Sequence, residues 1–188
     1  DIPDENGETR IQGPAAGMAV DLLSSGSLER ALLNLDKAIV RGRLPEQPGE
    51  ILLSDGFAAR LGVGPGSTAT LIGATMFGGL VIHNFTVAGT VHFGITAMDR
   101  GAVLADIADV QAALDMEDAA GEILGFERDS LYRKKEAAAL AAAFNAAHAE
   151  DEGEFAPEMV TLHEQGGLGQ TLDFASSIYA LMLVLFIL

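Results

Sequence analysis

The last fifteen residues of the chain, from Phe174 to Leu188, carry no charge, and they constrain the fold more than any other feature. At about 1.5 Å per residue, a helix of this length falls short of the roughly 30 Å hydrocarbon core that about 20 residues span. Because the stretch is apolar on every face and carries a Tyr at an interfacial position, it predicts the beginning of a transmembrane helix. A buried C-terminal core helix is the alternative, which the short length favours. The predicted membrane segment includes Tyr179, Leu181, Met182, Leu183, Val184, Leu185, Phe186, Ile187 and Leu188.

Composition excludes several classes of protein. The 188 residues are 49% hydrophobic, which suffices for one ordinary domain or two small subdomains without disulfides or a structural metal. There is no Cys, so disulfide frameworks, thiolate zinc sites and cysteine nucleophiles are excluded. A net charge of −16 repels phosphate backbones, so we expect no nucleic-acid partner. The chain begins at Asp1 without an initiator Met or signal peptide, which predicts a piece of a longer polypeptide.

The middle of the chain has the clearest local pattern. The run 51–53 predicts a buried strand, and Ser54 or Asp55 is expected to cap a short helix over 57–61. Gly62 is the residue type that ends such a helix in the left-handed conformation.

A β-hairpin is predicted next. Residues 68–72 have strand composition, and Gly78-Gly79 supplies a bend. The following strand alternates, with Asn84, Thr86 and Thr90 on its polar face. Its apolar face carries Val81, Phe85, Val87 and Val91.

Further elements are predicted on both sides of this region. They are a strand within 9–20, a helix capped by Ser27, a strand at 102–105, a helix capped by Asp106, a strand at 122–127, an Ala-rich helix beginning at Ser130, and a strand at 159–162. The order from 121 onward predicts a βαβ unit, which needs a parallel sheet.

No motif predicts a catalytic, cofactor-binding or metal-binding residue. The glycine-rich loop 62–66 follows a helix and precedes a strand, which is the reverse of a phosphate-binding loop. Ser54 lacks the Gly-x-Ser-x-Gly context of a hydrolase nucleophile. The four His residues show no pair at metal-ligand spacing. Asp99 and Arg100 are expected to form a salt bridge, and Met76-Phe77 at the hairpin bend is a candidate partner contact.

Several of these segments together resemble a known family. The quoted motifs are Ile39 to Pro45 with its Gly-Arg pair, Gly49 to Ser54 with its Gly-Glu pair, Ala58 to Leu71, Phe85 to Val91, and Asp99 to Gln111. In this order they resemble the extracytoplasmic core domain of MacB/FtsX-type ABC transporter permeases, including the lipoprotein-releasing ones. The resemblance covers about residues 37–116, and its motifs are structural rather than catalytic.

The resemblance implies an α+β fold in two subdomains. A porter-like βαβ subdomain would comprise 1–36 and 118–165, without the first βαβ unit of the family, and 37–117 would be an inserted, smaller mixed α/β subdomain. Residues 166–188 would be a hinge and the start of a transmembrane helix. Gly166, Gly167 and Gly169 would form the flexible joint.

The resemblance also implies a non-enzymatic role without cofactors. The domain would lie on the extracytoplasmic, periplasmic side of the inner cell membrane and would couple ATP hydrolysis by a cytoplasmic ABC ATPase subunit to export or release of lipid-linked or hydrophobic cargo such as lipoproteins. A second permease subunit, identical or different, would be the other partner. The alternative is a soluble binding or adaptor module whose apolar C-terminal helix packs in its own core or on a partner.

Overall fold

The computed structural model describes residues 11–126, 131–151 and 156–165. They fall into two compact units that divide between Ile123 and Leu124. The first unit contains a six-stranded mixed sheet with short helices, and the second contains one longer helix. The protein is therefore a mixed α/β protein, which confirms the combination of helices and strands in the expected α+β fold.

The elements of the first unit alternate irregularly between strand and helix. The strands are β1 (Ala16–Val20), β2 (Ile39–Gly42), β3 (Glu50–Ser54), β4 (Thr68–Ala74), β5 (Leu80–Val91) and β6 (Ala102–Asp106). The helices are α1 (Glu29–Leu32), α2 (Leu35–Ala38), α3 (Asp55–Leu61), α4 (Thr96–Asp99) and α5 (Ile107–Leu114). The second unit contains α6 (Lys134–Ala147).

The strand order in the sheet is β1-β6-β3-β5-β2, and β4 pairs with β5 beside this path. The pairs β1–β6 and β3–β5 are parallel, and the others are antiparallel. β1, which the resemblance assigns to the porter-like part, is bonded to β6 over its whole length, from Ala16 opposite Ala102 to Val20 opposite Asp106. The division into porter-like and inserted subdomains stays a prediction.

β3 lies at the centre of the sheet and is buried on both faces. Ile51 and Leu53 contribute to one apolar cluster, with Phe57 of α3. Leu52 points to the other face and contributes to a second cluster with Leu104. A strand covered on both sides reads as an uninterrupted apolar run, which is why 51–53 is recognisable from sequence.

The short helix after β3 ends at Leu61 as predicted and begins at Asp55, two residues before the predicted range 57–61. Ser54 is the N-cap residue, although its hydroxyl does not cap and instead donates to the carbonyl oxygen of Asp99 at 3.0 Å. Gly62 ends the helix at φ 69°, a conformation that suits glycine. The predicted cap at Asp106 is confirmed, since its carboxylate accepts from the N–H of Ala108 at 3.0 Å.

The predicted hairpin is formed by β4 and β5, in a continuous register from Thr68 opposite Thr86 to Ala74 opposite Leu80. All four residues of the predicted apolar face are buried, but they do not share one face: Phe85 and Val87 pack in the first apolar cluster, and Val91 packs in the second, on the other face of the sheet. Thr90 departs from the predicted polar face and is fully buried. The cause is an extra residue, Ala88, in the pairing with β3, because such a bulge reverses the alternation beyond it.

The second unit differs from the predicted βαβ order. The Ala-rich helix is present as α6, but the described residues 122–126 and 159–162 form no strand, so both strand predictions are wrong there. The side-chain amide of Asn145 accepts from the N–H of Met159 and donates to its carbonyl oxygen, at 2.8 and 3.0 Å. The Asn145 amide therefore bonds the N–H and the C=O of Met159, which in a strand would bond to a neighbouring strand.

The predicted transmembrane stretch 174–188 and the predicted hinge, Gly166, Gly167 and Gly169, lie outside the described residues. Within the described ranges, no helix has the length and apolar character needed to cross a bilayer.

Candidate functional site

The hairpin face that points away from the core changes from polar to apolar along its length. Near the base, Thr70 donates a hydrogen bond to the side-chain oxygen of Asn84 at 2.8 Å. Farther out, Ile72 lies directly opposite Ile82, and the two are 47% and 63% exposed. Leu80 is 75% exposed. Large apolar side chains gathered on an exposed surface are typical of a binding site.

The tip of the hairpin adds Phe77, which is 75% exposed. Its neighbour Met76 is half-buried, and the Met76 N–H donates to the carbonyl oxygen of Leu114 at 2.8 Å. The turn is closed by Thr75, which donates its N–H to the carbonyl oxygen of Gly79 at 2.7 Å. The predicted contact pair thus divides, since Met76 attaches the tip to α5 while Phe77 is accessible. We call Ile72, Phe77, Leu80 and Ile82 the hairpin face.

This hairpin lies within a long uncharged segment. Between Arg60 and Asp99 there is no Asp, Glu, Lys or Arg, although the chain as a whole has a net charge of −16. This uncharged segment is visible in the sequence. Electrostatic repulsion opposes association with another molecule least in this segment.

The motifs that carry the family resemblance are joined by an ion pair. Arg43 donates from both terminal nitrogens to Glu50, at 2.7 and 2.5 Å. The Glu50 carboxylate, 3% exposed, also accepts from the N–H of Glu46 at 2.9 Å and from the amide of Gln47 at 3.1 Å. These donors, Arg43 first, lower the pKa of Glu50 from 4.5 to about 2. The pair holds the 43–50 loop against β3 and leaves Glu50 without a proton to donate at neutral pH.

Two glycines of the motifs allow this loop to approach the sheet. A Cβ at Gly89 would lie 2.5 Å from the carbonyl oxygen of Arg43 and 2.8 Å from that of Arg41. Gly42 has φ 76°, and a Cβ there would meet the Ala88 carbonyl oxygen. Both positions therefore require glycine for packing, and Gly42 also requires it for its backbone conformation.

A second carboxylate lies just after the carboxyl end of the central strand β3. Asp55 accepts from the hydroxyl of Thr90 and from Arg41 Nε, both at 2.7 Å. These two bonds, Thr90 first, lower the pKa of Asp55. The bulge that turns Thr90 inward thus gives it a partner, and the group is a structural link between β5 and α3.

The predicted Asp99–Arg100 salt bridge is not formed. Asp99 accepts from the N–H of Phe93 at 2.8 Å and lies 3.2 Å from His92 Nδ1. The backbone oxygen of Arg100 accepts from Arg60 at 2.7 Å. Neighbouring side chains on a short helix point in different directions, so Asp99 fixes the 92–95 loop through the backbone instead.

No group of three or more metal-ligating side chains occurs in the part of the chain that the structure describes. The ring centroids of His83 and Phe85 are 4.6 Å apart. His83 therefore packs against a neighbouring aromatic ring of its own strand. A shallow groove of about 600 Å³ lies beside Arg60 and Arg100. Arg60 is already placed over the Phe57 ring, 5.0 Å from its centroid, and bonded to backbone, so the groove offers little for a ligand.

The comparisons with known proteins add no relative: no protein-family model matches the chain, and no curated protein matches it. The hairpin face is the feature best suited to binding a partner. The polar side chains described above, in contrast, are bonded within the fold. Sequence analysis identified Met76 and Phe77 but missed Ile72, Leu80 and Ile82.

Proposed function

We propose that this chain is the extracytoplasmic domain of an ABC transporter permease subunit. In this role it couples ATP hydrolysis by a separate cytoplasmic ATPase to the export or release of lipid-linked or hydrophobic cargo such as lipoproteins. The observation that carries the proposal is the ordered set of motifs in residues 37–116 that resembles MacB/FtsX-type permeases.

The contacts of the motif residues support the proposal. Arg43 of the Gly-Arg pair binds Glu50 of the Gly-Glu pair. Gly89 of the β5 motif lies against the backbone of 41–43. Contacts between separate motifs are what a shared fold requires, and no chemical step is assigned to any of these residues.

The hairpin face supports a contact with an apolar partner. Hydrophobic cargo and the surfaces that guide it need exposed apolar side chains, and Phe77 and Leu80 provide the most exposed ones of the hairpin. In this proposal the face binds cargo, or the protein that receives it, outside the membrane.

The proposed mechanism is a change of tilt. Residues 174–188 begin a transmembrane helix, and the porter-like subdomain follows its motion through the joint at Gly166, Gly167 and Gly169. Replacing these three glycines with Ala is expected to reduce transport without lowering ATP binding. Unchanged transport would exclude the joint.

The experiment that tests the function is purification of the full-length protein from membranes in mild detergent, followed by mass spectrometry. We expect an ATPase with Walker motifs to co-purify at a fixed ratio. Phe77→Glu should keep this ATPase and lower cargo release, whereas Val40→Glu, which adds the same charge at an exposed site on β2, should change neither. Recovery in the soluble fraction without an ATPase would contradict the proposal.

The second candidate is a soluble binding or adaptor module, which the exposed hairpin face favours equally. The two differ in the role of the C-terminal apolar stretch. A fragment that ends before Phe174 should be soluble and fully folded if the stretch belongs to a membrane helix. The same fragment should be destabilised if the stretch packs in the core.

A further inference from the structure

Among the residues that the structure describes, no backbone hydrogen bond joins the outer edge of β4 to another segment. The Val87 N–H donates to the Ser67 carbonyl oxygen, and the Thr75 N–H donates to that of Gly79. In an antiparallel ladder, bonded and non-bonded pairs alternate, so the odd-numbered residues of β4 bond to β5. The even-numbered ones therefore direct N–H and C=O away from the sheet. Those outward residues are Thr68, Thr70, Ile72 and Ala74.

This edge lacks the usual protection against pairing. Natural edge strands carry Lys, Pro or a bulge, or are covered. β4 has none of these residues, its register with β5 is unbroken, and in the described ranges no other strand pairs with it. β2 at the sheet edge is shorter, has a bulge and carries Arg41. β1 at the opposite end has five residues, so β4 offers the longer edge.

We propose that β4 pairs antiparallel with β4 of a second copy of this chain, across a two-fold axis. With Ile72 on the axis, Thr70 lies opposite Ala74 of the second copy and the outward groups bond to each other. The Ile72 and Ile82 side chains of both copies then form one row of four on the outer face of a continuous sheet. In a two-fold antiparallel pair, the same edge of both copies supplies the hydrogen-bond donors and acceptors for the other.

The charge distribution favours a second copy of the chain as the partner and the β4 edge as the contact. Two copies at −16 each repel one another, so they associate best where neither carries a charge, and β4 lies inside the segment 61–98 that has none. The backbone edge is self-complementary, whereas a charged partner would find no complementary charge there. The inference does not rest on the proposed function, since it requires only the edge and the charge distribution.

The test measures the mass of the full chain by sedimentation equilibrium, at one fixed concentration of a mild detergent, across protein and salt concentrations. We expect a monomer–dimer equilibrium that salt strengthens, because salt screens the repulsion. Ile72→Glu places two carboxylates opposite each other and should weaken the dimer by about 100-fold or more. Val40→Glu adds the same charge at a side chain that is 50% exposed and should leave the dimer intact.

Two further measurements keep the test decisive if Ile72→Glu folds poorly. Thr70→Pro removes an outward N–H and the side-chain bond to Asn84 but no backbone bond to β5, and it should also give a monomer. In the unmodified chain, the outward amides of β4 should exchange about tenfold more slowly at high than at low protein concentration. A monomer at every concentration, a dimer that survives both substitutions, or β4 amides that are protected independently of concentration would overturn the proposal.

Discussion

Neutralising the buried carboxylate of Glu50 should destabilise the fold by an amount that depends on pH. Glu50→Gln keeps the size of the side chain but removes the charge that binds Arg43. A pKa that falls from 4.5 to about 2 corresponds to about 3 kcal/mol at most. Because the guanidinium of Arg43 is partly exposed and solvent screens it, we expect about 1 to 2 kcal/mol.

The sign of the pH dependence follows from the direction of the pKa shift. The pKa of Glu50 is lower in the folded than in the unfolded chain. The Glu50 carboxylate therefore raises the unfolding free energy at any pH where it is ionised in both the folded and the unfolded chain. This stabilisation is complete above about pH 4.5 and is lost as the pH falls toward 2. The difference in unfolding free energy between the unmodified chain and Glu50→Gln should therefore be largest at neutral pH and shrink through this range.

Urea denaturation of the full chain, followed by circular dichroism at one fixed detergent concentration, measures these free energies. Glu46→Gln is the matched control, because Glu46 is an exposed carboxylate 3.8 Å from the same guanidinium. It should change stability by less than about 0.5 kcal/mol. Equal effects of the two substitutions, or a difference for Glu50→Gln that stays constant from pH 7 to pH 2, would refute the reasoning.

Three other substitutions test the remaining contacts. Thr90→Val removes a hydroxyl that donates to Asp55, so the pKa of Asp55 should rise toward its ordinary value in an NMR titration; an unchanged pKa would show that this bond is not its main cause. Gly89→Ala should lower the unfolding free energy by about 2 kcal/mol or more, whereas Gly17→Ala, with open space around its Cβ, should have little effect; equal melting temperatures would contradict the close approach. The carboxylate of Asp106 accepts hydrogen bonds from the N–H groups of Leu22 and Leu23, just after β1. Asp106→Ala should therefore speed hydrogen exchange at these two amides, and unchanged slow exchange there would contradict the contact.

The hairpin and the central strand could be predicted from sequence because their signals are local. The alternation from Val81 to Val91 and the Gly78-Gly79 bend specify a hairpin without reference to the rest of the chain. The wrong strands at 122–127 and 159–162 rested on apolar composition alone. A strand also needs a neighbour to bond, and Asn145 takes that place for Met159.

The candidate site was only partly predictable for a related reason. Phe77 stands out as an apolar residue at a bend, but Ile72 and Ile82 have the composition of any half-buried strand. Whether such a strand faces a core or solvent depends on what the fold packs against it, and in the described part of the first unit one side of the hairpin is covered and the other is exposed. The absence of charge from 61 to 98 was the available signal.

The arrangement of bonds along the hairpin connects stability with binding. At its base, β5 is bonded on both sides and the buried Thr90 is held by Asp55. Beyond Phe85, among the residues that the structure describes, the backbone bonds of the hairpin are those between its own two strands and the bond from Met76 to Leu114, and one of its faces packs on the core. A two-stranded ribbon is marginally stable alone, so the outer part should open at a lower free energy than the sheet. A partner that pairs with β4 supplies the missing third strand and stabilises the segment that carries the hairpin face.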